Sequence, residues 1–147
     1  MSSADELFID TGPFFAYYND RDKHHQTARV VFQAIREGDL LYSPLYTTQF
    51  VLSELATLLL YKIDHHTATR ALGDILDARS FNVIQADPLA FANARQEFAR
   101  YDNHETTLVD HLTATLATDR DVDHIFTFNS SFRALGFDLI PEDTGEL

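Results

Sequence analysis

The sequence has no cysteine, only two lysines, and five glycines that stand singly along its 147 residues. Without cysteine there are no disulfides, thiolate zinc sites or thiol nucleophiles, and redox chemistry is not expected. The scattered glycines form neither a P-loop nor a G-x-G-x-x-G turn, and no serine lies in G-x-S-x-G. Nucleotide hydrolysis by those loops and serine-hydrolase chemistry are therefore unsupported. No apolar run approaches the roughly eighteen residues of a membrane span, and the start Met1-Ser-Ser-Ala-Asp-Glu lacks the basic flank and apolar stretch of a signal peptide, so a cytoplasmic protein is expected.

What is present is apolar content and negative charge. Hydrophobic residues make up 45% of the chain, with twelve Phe and six Tyr, enough to build a core, and the length suits one domain over residues 1–147. Asp and Glu number 23 against 11 Lys and Arg, giving a net charge of −12 that is spread along the chain. Two readings compete, a highly solvated surface suited to a salt-rich cytoplasm and an acidic face for a basic partner; the diffuse spread favours the first, and the charge argues against nonspecific nucleic-acid binding. A nucleic-acid substrate is still compatible, because bound cations change the local potential and salt screens distant repulsion.

Short apolar runs alternate with stretches of helical period, which predicts an α/β domain with a mostly parallel sheet. Expected strands are Leu7-Phe8-Ile9, Leu40-Leu41-Tyr42, Phe81 to Ile84, Ile125 to Phe128 and a final edge strand at Leu139-Ile140. Expected helices run through Phe14 to Tyr18, His24 to Arg36, Thr47 to Ile63, Asp64 to Ala78, Pro88 to Phe98 and Thr107 to Thr118, with a short one from Ser130 to Leu135. Thr47 and Thr48 are both N-cap candidates, and Asp87-Pro88 opens its helix with proline at the favoured first position.

Three acids stand out against this frame. Asp10 ends the first strand, and ligands of parallel α/β sheets sit at the carboxyl ends of strands; its alternative role is to cap the helix that follows. Glu54 lies beside the apolar stripe of Phe50, Val51, Leu55 and Leu58, where an ionised carboxylate must be protonated, paired or solvated. Asp110 stands three residues after Thr107, which approximates a capping box, while Ala114 and Ala117 on its face would let the helix approach the sheet. Three carboxylates on three elements are what a hard cation needs, since Mg²⁺ or Mn²⁺ takes oxygen ligands and keeps waters for substrate phosphates.

Phe8-Ile-Asp10-Thr11-Gly12, Asp22 to Ala28, Val51-Leu-Ser-Glu54-Leu, Tyr101 to Asp110 and Phe126-Thr-Phe-Asn129-Ser-Ser-Phe132 with Gly136-Phe137, in this order from residue 7 to about 141, resemble the PIN-domain ribonucleases, particularly VapC-type toxins. The resemblance implies a three-layer α/β/α fold, Mg²⁺ or Mn²⁺ as cofactor, RNA as substrate, a homodimer, and an antitoxin partner whose tail blocks the site. Asp10, Glu54 and Asp110 match the family's three principal acids, and Thr11 and Thr107 its small hydroxyl positions. The fourth corner departs from the pattern: Asn129 stands where an acid is common, offering a neutral oxygen, so a second metal is expected to bind more weakly. The resemblance also places His25 where it closes the loop after the first helix.

Other patterns fail. Asp119-Arg-Asp121-Val-Asp123 starts like a calcium loop but continues with His124 in place of Gly and Ser130 in place of Glu. The seven histidines show no zinc spacing, and Gly12 stands where a haloacid-dehalogenase-type phosphatase wants its second acid. Phe14, Phe15, Tyr17 and Tyr18 suit core or dimer packing better than base stacking. The competing function is a PIN-like module that binds RNA or protein with weakened catalysis, motivated by Asn129 and the acidic surface.

Overall fold

A computed structural model describes residues 4–102 and 104–146. Five parallel strands, β1 (Asp5–Ile9), β2 (Tyr42–Thr48), β3 (Phe81–Ile84), β4 (His124–Phe126) and β5 (Asp138–Ile140), pair in the order β3-β2-β1-β4-β5. Helices α1 (Thr11–Tyr18), α2 (His25–Glu37), α3 (Gln49–Lys62), α4 (His65–Asp77), α5 (Pro88–Arg100) and α6 (Leu108–Asp119) connect them, and a 3₁₀ turn (Ser130–Arg133) precedes β5. Among the described residues no helix is long and apolar enough to cross a membrane.

The helices fall into two layers because the strands are apolar on both faces. Leu7, Ile9 and Phe126 join Val51, Leu55, Leu59, Ala68 and Ile75 of α3 and α4 in one buried cluster. Phe8 and Ile125 point the other way and join Ala90, Ala114, Leu116 and Ala117 in a second. The expected α/β/α sandwich is therefore present, with the alanines of α6 letting that helix sit close to the sheet.

Two strands differ from expectation. The second was expected at Leu40 to Tyr42 and ended by Ser43-Pro44, but β2 begins at Tyr42 and runs on to Thr48. Asp5 pairs with Tyr42 and Leu7 with Leu45, so β2 carries one extra residue around Ser43-Pro44, and this bulge admits a proline into an interior strand. Thr47 is consequently a strand residue, its hydroxyl donating to the Ile9 carbonyl at 3.0 Å, while Thr48 is the cap, accepting from the Val51 N–H at 3.1 Å. The fourth strand ends at Phe126, leaving Thr127 and Phe128 to turn into the loop beyond the sheet.

Candidate metal centre

Parallel pairing fixes where the acids meet. Ile9 is level with Phe126, and the Asp10 N–H continues the ladder by donating to the Phe126 carbonyl at 3.0 Å, which places Asp10 beside Thr127 at the carboxyl edge of the two central strands. The Thr127 hydroxyl donates to Asp10 Oδ2 at 2.8 Å. Asp10 occupies the N-cap position of α1, yet its side chain makes no capping hydrogen bond. The helix-cap role does not account for it. Its Oδ1 is buried with no hydrogen-bond partner, as is Thr11 Oγ1 next to it. Unpartnered buried oxygens are costly, and they persist where a ligand or ion completes them.

Asp110 does both jobs that its position suggests. It completes a capping box, receiving the Thr107 N–H at 2.9 Å while its own N–H donates to the Thr107 hydroxyl at 3.2 Å. The Asn129 amide nitrogen donates to the same oxygen, Oδ2, at 3.3 Å, so Oδ1 receives neither bond. Asn129 is thus oriented differently from expectation. Its amide oxygen accepts from the Ser131 N–H at 3.0 Å and the Ser131 hydroxyl at 2.7 Å, which commits that oxygen to the 3₁₀ turn and leaves the nitrogen facing Asp110.

The acids act on one another electrostatically. Burial, the Asp110 charge and, more weakly, Glu54 push the Asp10 carboxyl up to about 7, against the opposing Thr127 hydroxyl and Thr11 N–H. Burial also raises Asp110, opposed by its bonds to Thr107 and reinforced by Glu54. Glu54 is half-buried on α3, flanked by the buried Val51 and Leu55 as expected. Its charge raises both aspartates, so it lies within electrostatic range of them. Among the described residues, no group of three or more His, Asp or Glu side chains is already arranged to hold a metal ion. The donor chemistry nonetheless fits a divalent cation, which would relieve the mutual repulsion and partner Asp10 Oδ1.

One participant escaped the sequence. Thr127 was expected inside a strand, but it is buried, holds Asp10 and accepts the Asn129 N–H at 3.0 Å, so it links two sides of the cluster. Only the β1–β4 register reveals it. By contrast His25 takes its expected place, its Nδ1–H donating to the Ala16 carbonyl at 2.7 Å and closing the loop after α1. Thr107 holds Asp110 through the backbone and stands exposed at its cap.

Comparison with known proteins bears on the family and the fold. The chain is 27% identical over 125 residues to a VapC ribonuclease of Archaeoglobus fulgidus, covering 84% of this chain and 77% of that protein. Its structure is similar to Mycobacterium tuberculosis VapC20, described as a sarcin-ricin loop cleaving toxin, with a TM-score of 0.79, 25% identity and coverage of 90% and 96% of the two chains. The fold alone is shared with VapBC2 from Rickettsia felis bound to a DNA fragment from its promoter, at a TM-score of 0.63, 13% identity and coverage of 91% and 96%. The PIN domain family matches residues 7–138, the span that contains Asp10, Glu54 and Asp110, and the chain belongs to that family.

Proposed function

We propose that the protein is a divalent-metal-dependent endoribonuclease, in which Asp10, Glu54 and Asp110 hold Mg²⁺ or Mn²⁺. The observation that carries this reading is Asp10: a buried carboxylate at a strand end, with one oxygen held by Thr127 and the other without a partner. A bound cation would supply a water of lowered pKa and neutralise the charge that develops on a phosphodiester. The chain's own contribution is orientation. Thr127 and the capping box fix two carboxylates, and the Asn129 amide donates to Asp110 where a fourth acid would repel it. That donor favours one tightly held ion over two. Thr11, next to Asp10 and with a buried unpartnered hydroxyl, would offer a further contact to a ligand of the same site.

Similarity to VapC proteins extends the reading to a toxin with a cognate antitoxin protein and a homodimeric state. The test is incubation of purified protein with single-stranded RNA and with a sarcin-ricin-type hairpin, with Mn²⁺ or with chelator. Chelator-sensitive cutting is expected; binding without cutting in both conditions would favour a catalytically silent module instead.

A further inference from the structure

A protein of net charge −12 that acts on RNA needs local cations to hold the strand, and this chain has 11 Lys and Arg to offer. Two are occupied elsewhere: Arg100 pairs with Glu97, and Arg133 with Glu142 and Asp143. Three others converge. Arg21 from the loop after α1, Lys62 from the end of α3 and Arg70 from α4 line one cavity of about 590 Å³ in which Asp20 is the single acid. None of the three forms an ion pair among the described residues. The lining itself therefore carries more positive than negative charge, with Asp74, bonded to the Tyr18 hydroxyl, and Asp64, which feels the Arg70 charge, standing behind it.

The cavity also has aromatic walls. Tyr17 and Tyr18 meet edge to face at 5.0 Å, and the Arg70 guanidinium lies over the Tyr18 ring, 5.7 Å from its centre. Cations beside aromatic rings are a common way to seat single-stranded nucleic acid; here both rings are half-buried, so the charges carry the phosphates and the rings form the wall. Tyr17 also packs against Phe32, so the ring is anchored on its core side.

Its place relative to the acids follows from helix geometry. α1 begins beside Asp10 and ends at Tyr18, and α3 carries Glu54 eight residues before Lys62. At ~1.5 Å per residue the cavity-lining ends of both helices lie about 10 to 12 Å along the helix axes from the positions of Asp10 and Glu54, a displacement that roughly three stacked nucleotides at ~3.4 Å each would span. We propose that Arg21, Lys62 and Arg70, with Tyr17 and Tyr18, form an RNA seat that holds the phosphates of the strand about three nucleotides from the cut. This seat rests on the nuclease reading, and it makes substrate length a determinant of KM.

The test compares a 12-nucleotide RNA with a trinucleotide too short to reach the cavity. The R21Q/K62Q/R70Q variant is expected to raise KM for the 12-mer at least about tenfold at 0.1 M salt, with kcat and the trinucleotide KM unchanged. Its slope of log affinity against log salt should fall by about 2, at ~0.7 per lost phosphate contact. The charge-matched control R29Q/R79Q/R95Q, at exposed positions outside the cavity, should leave KM within about twofold, and R21K/R70K should retain the 12-mer KM. Wild-type protein that cleaves with no difference between the two triple variants overturns the seat while leaving the nuclease reading intact. Retained RNA kinetics with lost binding of an acidic peptide reassigns the cavity to a protein partner and also overturns it. Wild-type protein that cleaves no RNA with Mn²⁺ overturns the nuclease reading itself.

Discussion

Asp10 and Asp87 stand at the same position of two helices, each as the N-cap, and do opposite things. Asp87 accepts the Ala90 N–H at 2.8 Å and does the ordinary work of starting α5. Asp10 is buried at 6% exposure, makes no such bond to α1, and keeps one oxygen without a partner. Asp64 behaves as Asp87 does, bonding Thr67 at 2.7 Å, and that bond lowers its carboxyl where burial raises Asp10. At Asp64 the bond to its helix makes the carboxyl easier to ionise. Asp10, whose carboxylate is withheld from the cap, stands in a dry place beside other acids and stores electrostatic cost that a cation would relieve.

The largest expected effects come from removing the withheld carboxylate. Asp10→Asn should lower metal-dependent cleavage by roughly 100-fold or more, since the cation it helps hold supplies several kcal/mol of charge stabilisation. The same change should stabilise the metal-free protein. The Asp10 carboxyl is raised from 3.8 to about 7 on folding, so the native state holds the extra proton between those values and stability falls as pH rises through that window. Above it the ionised group costs on the order of 4 kcal/mol. Asp10→Asn should recover part of this at pH 8 in denaturant melts with chelator present and none of it at pH 3; equal stability of the two proteins at pH 8 would contradict the assignment.

Next in size is the group that orients Asp10. Thr127→Val removes the hydroxyl donor to Oδ2 and should weaken Mn²⁺ binding about tenfold, as loss of a partner behind a ligand does. Asn129→Asp replaces an amide donor 3.3 Å from Asp110 with a carboxylate, so the metal-free protein should lose stability at neutral pH while Mn²⁺ titration gains a second site. An unchanged stoichiometry would show that the fourth corner does not set the ion count. The smallest effect belongs to the ordinary cap: Asp87→Ala should cost about 1 kcal/mol in thermal melts and leave cleavage untouched.

The comparison also explains what the sequence could and could not say. The capping roles of Asp87 and Thr107 follow from local spacing and form as spaced, whereas spacing left the α3 cap open between Thr47 and Thr48 and the structure assigns it to Thr48. The helices and the outer strands were legible for the same reason, because apolar period and caps act within a few residues. β2 was misplaced because its bulge accommodates a Ser-Pro pair that otherwise marks a strand's end. Whether Asp10 caps α1 depends on Thr127, 117 residues away, and on the register that sets them side by side. The three acids were identifiable as candidates from their elements and from resemblance, but the clamp through Thr127 and the reversed amide of Asn129 exist only in three dimensions. The cationic cavity was hidden likewise, since its charges come from three distant segments.

Metal binding through Asp10 is tested most directly by Mn²⁺ calorimetry at pH 7.5 of chelator-stripped wild-type and Asp10→Asn protein, with Asp87→Ala as the control. Binding is expected for wild-type and Asp87→Ala and none measurable for Asp10→Asn. Equal binding by all three proteins would contradict a metal held by Asp10.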